Sequence, residues 1–572
     1  MSSLLLRLQQ KLAEALSQLD LDLPEGFSVG VSASTDPKFG DYQSNSAMIL
    51  AKRLKRNPRE LATQVVEIGQ WDDFCETPEI AGPGFINFRV KDSVIAQHVL
   101  GIHGDTQLGV PLASTPQTIV IDFSAPNVAK PMHIGHIRST FIGDCLSRVA
   151  RFVGHRVITD NHIGDWGTQF GMIIYGWKHH LDKEALAEDP IRELVRVYRE
   201  VNATAKEDEA VMQACKEELV ALQSGNDQNH TIWKETVDLS LGQLGKLYDW
   251  LGISFDHYLG ESAYNDVLAP LVEELVTKGI AEESDSAICI FFPDVKGLEE
   301  KPAIIRKTDG GFNYATTDLA TIDYRINEWQ ADKILYVVGA PQQLHFQQIF
   351  AATARRGKSV NLTHVAHGSI LGKDRKLMRT RSGDSVQLID VLNEAIERAT
   401  KIVEEKNPTL EDSAKRDIAE AIGLGSVKYA ELSQHRMTDY IFSWDKMLSF
   451  QGNTAPYLLN AYVRTRSIFR KLGSDKIAND TITLTEPAER TLCVKLNQFG
   501  ELVPDILNDY RPNLLANYLY ELAQTYHSFY EHCPVLKSEG DVRNTRLLLC
   551  DLTSKVLKQG LDLMGIRVTD RM

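Results

Sequence analysis

The 572-residue chain has few of the features that mark a secreted, membrane-bound or zinc-binding protein. Its seven cysteines, Cys75, Cys145, Cys215, Cys289, Cys493, Cys533 and Cys550, include no C-x-x-C pair. No Cys/His group has zinc-ligand spacing, which leaves reduced, buried thiols in a cytoplasmic protein as the reading. No apolar run approaches the roughly 18 residues of a membrane span. No secretory signal is expected: Leu5, Leu8, Leu12, Leu16 and Leu19 recur at helical spacing with Arg7, Lys11 and Glu14 between them, as in an amphipathic helix packed on its own domain. Positive charge is in deficit, with a net charge of −15. That argues against an overall basic nucleic-acid binder, but not against one whose cations cluster locally. Internal repeats and low-complexity tracts are missing. No G-x-x-x-x-G-K-[ST] segment occurs, which excludes a P-loop. Gly423-Leu-Gly425 lacks a third glycine and a preceding strand, and reads as helix packing.

What is present is an ordinary globular balance, 43% hydrophobic and 24% charged, over a length of three or four domains. Residues 1–110 read as an α+β module that includes Phe39-Gly-Asp-Tyr-Gln43 and the alternating strand Phe85-Ile-Asn-Phe88. After a linker, Thr118–Phe123 predicts a strand, 133–153 a helix and Arg156–Thr159 the next strand, the start of an open doubly wound sheet. Residues 171–300 read as a helix-rich insertion. Strands are predicted again at Lys333–Val338 and Val365–Leu371. The expected fold is therefore α/β: a Rossmann-like parallel-sheet core over 111–390, with the N-terminal α+β domain before it. A helical connector at 391–450 and an all-α bundle at 451–572 follow.

Chemistry concentrates in Ser124-Ala-Pro-Asn-Val-Ala-Lys130-Pro-Met-His133-Ile-Gly135-His136, at the carboxyl end of the first strand of the core. Pro131 suits a helix start, and His133 and His136 are expected on one face of the first turn. The helix N-terminus offers partial positive charge and free N–H groups to a phosphate. Gly135 leaves room for a flat base, and the two imidazoles can donate to an attacked α-phosphate. Two histidines merely capping a helix are the plainer alternative. A second cationic segment, Lys373-Asp-Arg375-Lys376-Leu-Met378-Arg379-Thr380-Arg381, follows the last predicted strand of the core. It reads as a phosphate-contacting loop, the alternative being a solvated surface loop.

The His-Ile-Gly-His segment resembles the signature of class I aminoacyl-tRNA synthetases. The wider pattern resembles the arginyl-tRNA synthetase family: SAPNVAKPMHIGHIRST at 124–140, DNHIGDWGTQFG at 160–171, FGDYQSN at 39–45, AGPGFINF at 81–88, NTAPYLLNAYVR at 453–464 and GLDLMGIRV at 560–568. The resemblance covers essentially the whole chain. It implies that the chain joins L-arginine to tRNA(Arg) through arginyl-adenylate, using ATP with Mg²⁺ held largely by its phosphates and no dedicated metal site. It assigns His133 and His136 to catalysis, with Lys130, Arg379 and Arg381 as phosphate cations. Lys130 stands in for the second lysine of the family's Lys-Met-Ser-Lys-Ser loop, which is absent here. ATP is expected on His133, Gly135, His136, Met378 and Thr380. Arginine is expected on Asp122, Ser124, Asn127, Glu261, Tyr314, Asp318 and Gln342.

The residues support part of this independently. A guanidinium suits bidentate carboxylates. Asp122 is an acid inside a strand, and Tyr314 and Asp318 share a helix face at a spacing of four. A backbone-bonded Asp122 and an exposed Asp318 are the plainer alternatives. By the same resemblance, Tyr457, Arg464 and Arg466 in the C-terminal bundle are expected to touch tRNA, and the N-terminal domain to touch its corner. Tyr518, Tyr520, Tyr526 and Tyr530 read as core. The insertion does not read as an editing domain. A cytoplasmic monomer is expected. Two rivals remain: a small-molecule nucleotidylyltransferase, which would not need the helical bundle, and an inactive RNA-binding relative, against which the intact His133, Gly135 and His136 argue.

Overall fold

The structure, a computed structural model, describes residues 3–19, 21, 23, 27–378, 385–474, 477 and 481–572. The described chain forms two compact units. One holds residues 114–406 and 423–447; the other holds 1–113, 407–422 and 448–572. Among the described residues no helix is long and apolar enough to cross a membrane. All seven cysteines are buried as free thiols.

The first unit is built on a four-stranded parallel sheet: β1 (Thr118–Asp122), β2 (Arg156–Asp160), β3 (Lys333–Tyr336) and β4 (Asn361–His364), in the order β4-β3-β1-β2. Val120, Ile158 and Ile334 pack with Leu319 and Ile322 of α4 (Tyr314–Asn327) and Ile349 of α5 (Gln343–Arg355). After β1 the chain moves through α1 (His136–Phe152) to β2 on one side. It returns about 170 residues later to β3 on the other side of β1. The carboxyl ends of β1 and β3 are therefore a topological switch point, where open α/β sheets form their ligand crevice. The insertion contributes α2 (Pro190–Glu207), α3 (Asp227–Leu251) and a three-stranded antiparallel sheet, Glu282–Ser284, Ala287–Ile290 and Ala303–Arg306.

Two expected boundaries are corrected. The helix expected from residue 133 begins at His136. The backbone of 132–134 is already engaged: Ile134 N–H donates to Val386 O (2.8 Å) and Leu388 N–H to Met132 O (2.9 Å). The single strand expected over 365–371 is replaced by β4, four residues earlier, and a two-residue strand Ile370–Leu371 paired with Tyr440–Ile441. Between them the Gly368 and Ser369 N–H groups turn to Arg436 O (2.9 Å) and the Asp439 carboxylate (2.6 Å).

The second unit joins the two ends of the sequence. A four-stranded antiparallel sheet, which includes the expected strand Phe85–Phe88, and the helix Leu4–Ser17 form its N-terminal part. That helix buries Leu8, Leu12 and Leu16 as the spacing predicts, with Leu4 buried in place of the half-buried Leu5, and it ends before Leu19. The C-terminal part is all helical, starting with α6 (Ala455–Leu472). Polar contacts link the two parts. Arg490 makes a two-pronged contact with Asp41 (2.8 and 2.9 Å) and also reaches Asp92 (2.6 Å). Glu501 accepts from Leu5 N–H (2.9 Å) and the Tyr42 hydroxyl (2.8 Å).

Burial pushes the Glu501 carboxyl up to about 7, although both hydrogen bonds pull the other way. A carboxyl raised above its unfolded value stabilises the fold fully below that value and loses the contribution as pH climbs through the folded one. Glu501→Gln keeps the acceptor oxygen without the charge. Its urea midpoint should therefore fall less than the wild-type midpoint between about pH 5 and pH 8. Equal falls in the two proteins would remove Glu501 from the pH response.

Candidate active site

The loop after β1 carries the site and is held in an uncommon backbone. Ser124 (φ 74°), Ala125 (φ 45°) and Ala129 (φ 57°) all lie in the left-handed region without being glycine. Each such residue costs about 1–3 kcal/mol and persists only where its surroundings over-determine it. The bonds that hold them are visible. Ser124 N–H donates to Ser139 Oγ (2.9 Å), Ala125 N–H to Asn161 Oδ1 (3.0 Å) and Ala129 N–H to Ser240 Oγ of α3 (3.2 Å). Asn127 bridges in parallel to Gly164, where a side chain's Cβ would stand 2.2 Å from the side-chain Oδ1 of Asn127 and would have to displace that amide.

At the end of this loop His133 N–H donates to His136 Nδ1 (3.1 Å), and Gly135 N–H donates to His133 Nδ1 (3.1 Å). A backbone N–H can only donate, so His133 Nδ1 accepts and its neutral ring carries the proton on Nε2, while His136 Nδ1 lies between the His133 N–H and the His133 carbonyl oxygen (3.2 Å). The rings meet tilted by 42°, with centroids 4.0 Å apart. A Cβ on Gly135 would stand 2.8 Å from the His133 ring. Burial lowers both imidazoles, and the charge of His133 helps bring His136 down to about 4. Near neutral pH the turn therefore presents two uncharged imidazoles. The free amides expected here are corrected: His136 N–H and Ile137 N–H close onto His133 O (2.9 Å) and Ile134 O (3.1 Å).

Two residues expected to bind arginine have internal partners in the structure. Asp122 is buried and paired with the chain's own Arg325 (2.6 Å), which also holds Asp160 (2.7 Å). Burial raises the Asp122 carboxyl, against the attraction of Arg325. Ser124 is 4% exposed. Its hydroxyl lies between the Tyr248 hydroxyl (2.7 Å) and the Thr140 hydroxyl (2.9 Å). Both help to fix the chain at the end of β1.

Other acids are better placed. Glu261 follows Gly260 in a turn clamped by Asp165, which accepts from Ser262 N–H (2.9 Å) and the Ser262 hydroxyl (2.6 Å). Burial raises Glu261 to about 7; nearby His162 lowers it, while Asp165 and Asp318 raise it. Asp318, one helical turn after the exposed Tyr314 on α4, meets His345 Nε2 of α5 at 2.5 Å. Gln342 is exposed in the 3₁₀ turn that enters α5. The sheet topology thus brings the Asn127 loop, the Glu261 turn, Tyr314, Asp318 and Gln342 to the region of the β1/β3 switch point. His162, Asp165, Arg325 and His345 were not anticipated. The first two lie within the quoted 160–171 segment, but the last two pair across 165 or 203 and 27 positions, which no local spacing reveals.

Lys130 is exposed, with its ammonium 5.6 Å from the centroid of the Tyr198 ring of α2. It lines a cavity of ≈ 640 Å³ with Asn127, Arg192, Arg199 and Gln243. Lys376 and Met378 lie on the rising limb of the cationic loop, where Leu371 bridges Leu377. Arg379, Thr380 and Arg381 lie outside the described residues. The stem beyond them, 386–388, is the segment bonded to 132–134, so the histidine turn and the cationic loop share a backbone junction. Among the described residues no cluster of three metal-ligating side chains occurs.

In the other unit, Arg464 is exposed on α6. Arg466 is held by Asp551 (3.5 Å), and the Tyr457 hydroxyl by His527 (2.8 Å). Tyr518 and Tyr526 are buried, while Tyr530 is exposed.

A family model described as tRNA synthetases class I (R), catalytic domain, matches residues 100–444. Models described as DALR anticodon binding domain and Arginyl tRNA synthetase N terminal domain match 458–572 and 6–90. The chain is 43% identical to the Arginine--tRNA ligase of Hahella chejuensis over 99% of each chain. It is 45% identical to that of Thermobifida fusca over 94% of this chain and 96% of the relative. The crystal structure of arginyl-tRNA synthetase from Plasmodium falciparum aligns over 100% of both chains, with a TM-score of 0.86 at 28% identity. From its N-terminal sheet through the histidine turn to its last helices, the chain belongs to the arginyl-tRNA synthetase family.

Proposed function

We propose that the protein activates L-arginine with ATP and transfers the arginyl group to the 3′ end of tRNA(Arg). The observation that carries this reading is full-length membership of the family together with the paired histidine donors at the β1/β3 switch point. In the first step an arginine carboxylate oxygen attacks the α-phosphorus of ATP. The bond to the bridging oxygen breaks and pyrophosphate leaves. In the second, a terminal ribose hydroxyl of tRNA attacks the activated carbonyl, and AMP leaves. ATP enters as its magnesium complex, the ion held by phosphate oxygens.

The chain's part is to position the reactants and to meet developing charge. His133 and His136 donate through Nε2–H to phosphate oxygens, Gly135 lets the base approach, and Met378 and Thr380 flank the nucleotide. Glu261 and Asp318 read the guanidinium, with Asn127, Tyr314 and Gln342 around the rest of arginine. Lys130, Arg379 and Arg381 neutralise the phosphates. The helical segment 451–572 reads the anticodon, with Arg464 exposed on α6 among the residues expected to touch tRNA. Residues 1–110 meet the tRNA corner. A cytoplasmic monomer fits this role.

Aminoacylation of tRNA(Arg), tried with each of the twenty amino acids, tests the reading; charging with arginine alone is expected, and no arginine-dependent charging would overturn it. Lys130→Ala should lower the rate of the chemical step about tenfold or more while tRNA affinity changes little, because a removed phosphate cation acts mainly on developing charge. Quench-flow rates and filter binding separate the two; an unchanged chemical rate would return Lys130 to its place on Tyr198.

A further inference from the structure

Asp318 is joined to His345 through one oxygen, Oδ2 at 2.5 Å from Nε2, and among the described residues its Oδ1 accepts no hydrogen bond. The pair sits on the first turns of α4 and α5, half-buried on both sides. A guanidinium engages a carboxylate through two parallel N–H bonds and so needs both oxygens. Oδ2 keeps a second lone pair beside the imidazole N–H, so a docked guanidinium would share the carboxylate with His345. An imidazolium left beside a docked guanidinium would be a like charge at close range.

We infer that the guanidinium of arginine and His345 meet on the same carboxylate, Asp318, so that arginine binding drives a proton from His345 to solvent. The inference rests on Asp318 reading the guanidinium. His345 is then a positioning residue: it holds the carboxylate ready for substrate. The balance is simple. One cation enters and one proton leaves Nε2 or Nδ1.

The surroundings give the direction. Burial lowers His345, but the hydrogen bond and charge of Asp318 raise it above the ordinary value overall. The other titratable groups around it are Glu261 across the pocket, Tyr336 on β3, and His364 at the end of β4 with Arg436 beyond it. Once arginine sits on Asp318, its guanidinium offsets the carboxylate's charge and adds a cation beside the ring, so the bound form favours neutral His345. By linkage, arginine affinity is full above the raised value of free His345 and weakens as pH falls through it, by up to about tenfold per unit for one proton. Glu261, raised to about 7, must also ionise to meet a guanidinium and releases a proton with the same sign.

The test is calorimetric titration of the full chain with L-arginine, in two buffers of different ionisation heat, from about pH 6 to about 8.5, with Glu261→Gln and His345→Gln measured beside wild type. Wild type should release more protons than either variant. His345→Gln should still bind arginine, with a flatter affinity profile. Proton release by His345→Gln equal to that of wild type overturns the inference. Histidine-selective ¹⁵N spectra give a second reading that does not depend on a variant: the His345 ring should become neutral on saturation with arginine at pH 6.5, and an unchanged protonation state overturns the inference. Asp318→Asn separates the underlying reading. If arginine affinity survives that change, the guanidinium is read elsewhere and both ideas fall. If affinity is lost while wild type exchanges no proton, only the role of His345 fails.

Discussion

Changing His136 to alanine is expected to slow arginyl-adenylate formation by about 10²–10³-fold, as for removal of one preorganised donor, while arginine affinity moves by no more than about twofold. The expectation follows from a neutral donor, not from charge. Nδ1 is engaged by the His133 backbone and the ring is neutral down to about pH 4, which leaves Nε2 as the atom turned to a ligand. It serves the transition state, where negative charge grows on the α-phosphate oxygens. His136→Gln sets an amide N–H near the position of Nε2–H and should recover part of the loss. His133→Ala should act in the same way and also release the Gly135 N–H. Arginine-dependent exchange of pyrophosphate into ATP, with tRNA(Arg) present, gives the rate, and calorimetry gives the affinity. Wild-type exchange in His136→Ala would mean that the turn is only a helix entrance.

The second large effect concerns which guanidinium analogues are admitted. Citrulline has nearly the shape of arginine but is neutral, so it would leave Asp318 and Glu261 without a cation. A polar site deprived of its partner rejects an analogue by about 10⁴-fold. Lysine keeps the charge but cannot make the planar two-pronged contact. Asp318→Asn should cost arginine kcat/KM about 3–5 kcal/mol, as for a broken charge pair, and narrow the gap between arginine and citrulline because the amide can pair with a urea. Asp122→Asn is the informative comparison. Its partner is Arg325, so it should lower stability and leave the ratio of the two substrates as it was. An unaltered ratio in Asp318→Asn, or a collapsed one in Asp122→Asn, would reverse the assignment of the two acids.

Those two aspartates also mark what can be read from sequence. Tyr314 and Asp318 were legible because helix geometry carries a spacing of four into space. β1, α1 and β2 were legible because their apolar periods are strong and short-range. Asp122 was correctly read as an acid that needs a partner, but the partner is 203 residues away, and no pattern along the chain specifies a pairing at that distance. Substrate and Arg325 offer the same guanidinium, so chemistry alone could not choose between them. The start of α1 was misplaced for a related reason: the 386–388 segment that holds 132–134 extended arrives from beyond the cationic loop. β4 was missed because Asn361, Thr363 and His364 dilute the apolar signal of a buried parallel strand.

The pairing of residues 1–113 with 448–572 in one compact unit bears on how the protein is made. A ribosome releases the N-terminal sheet first, yet Glu501 and Arg490, which receive Leu5, Tyr42, Asp41 and Asp92, emerge 398 to 496 residues later. At about 5–20 residues per second the nascent sheet waits some tens of seconds for the helices that complete it. Throughout that interval the unit containing β1 to β4 is being synthesised and can fold, while the older segment remains unfinished. The earliest-made part of this chain is therefore among the last to reach its final contacts, and it is the segment most exposed to chaperones and proteases during translation.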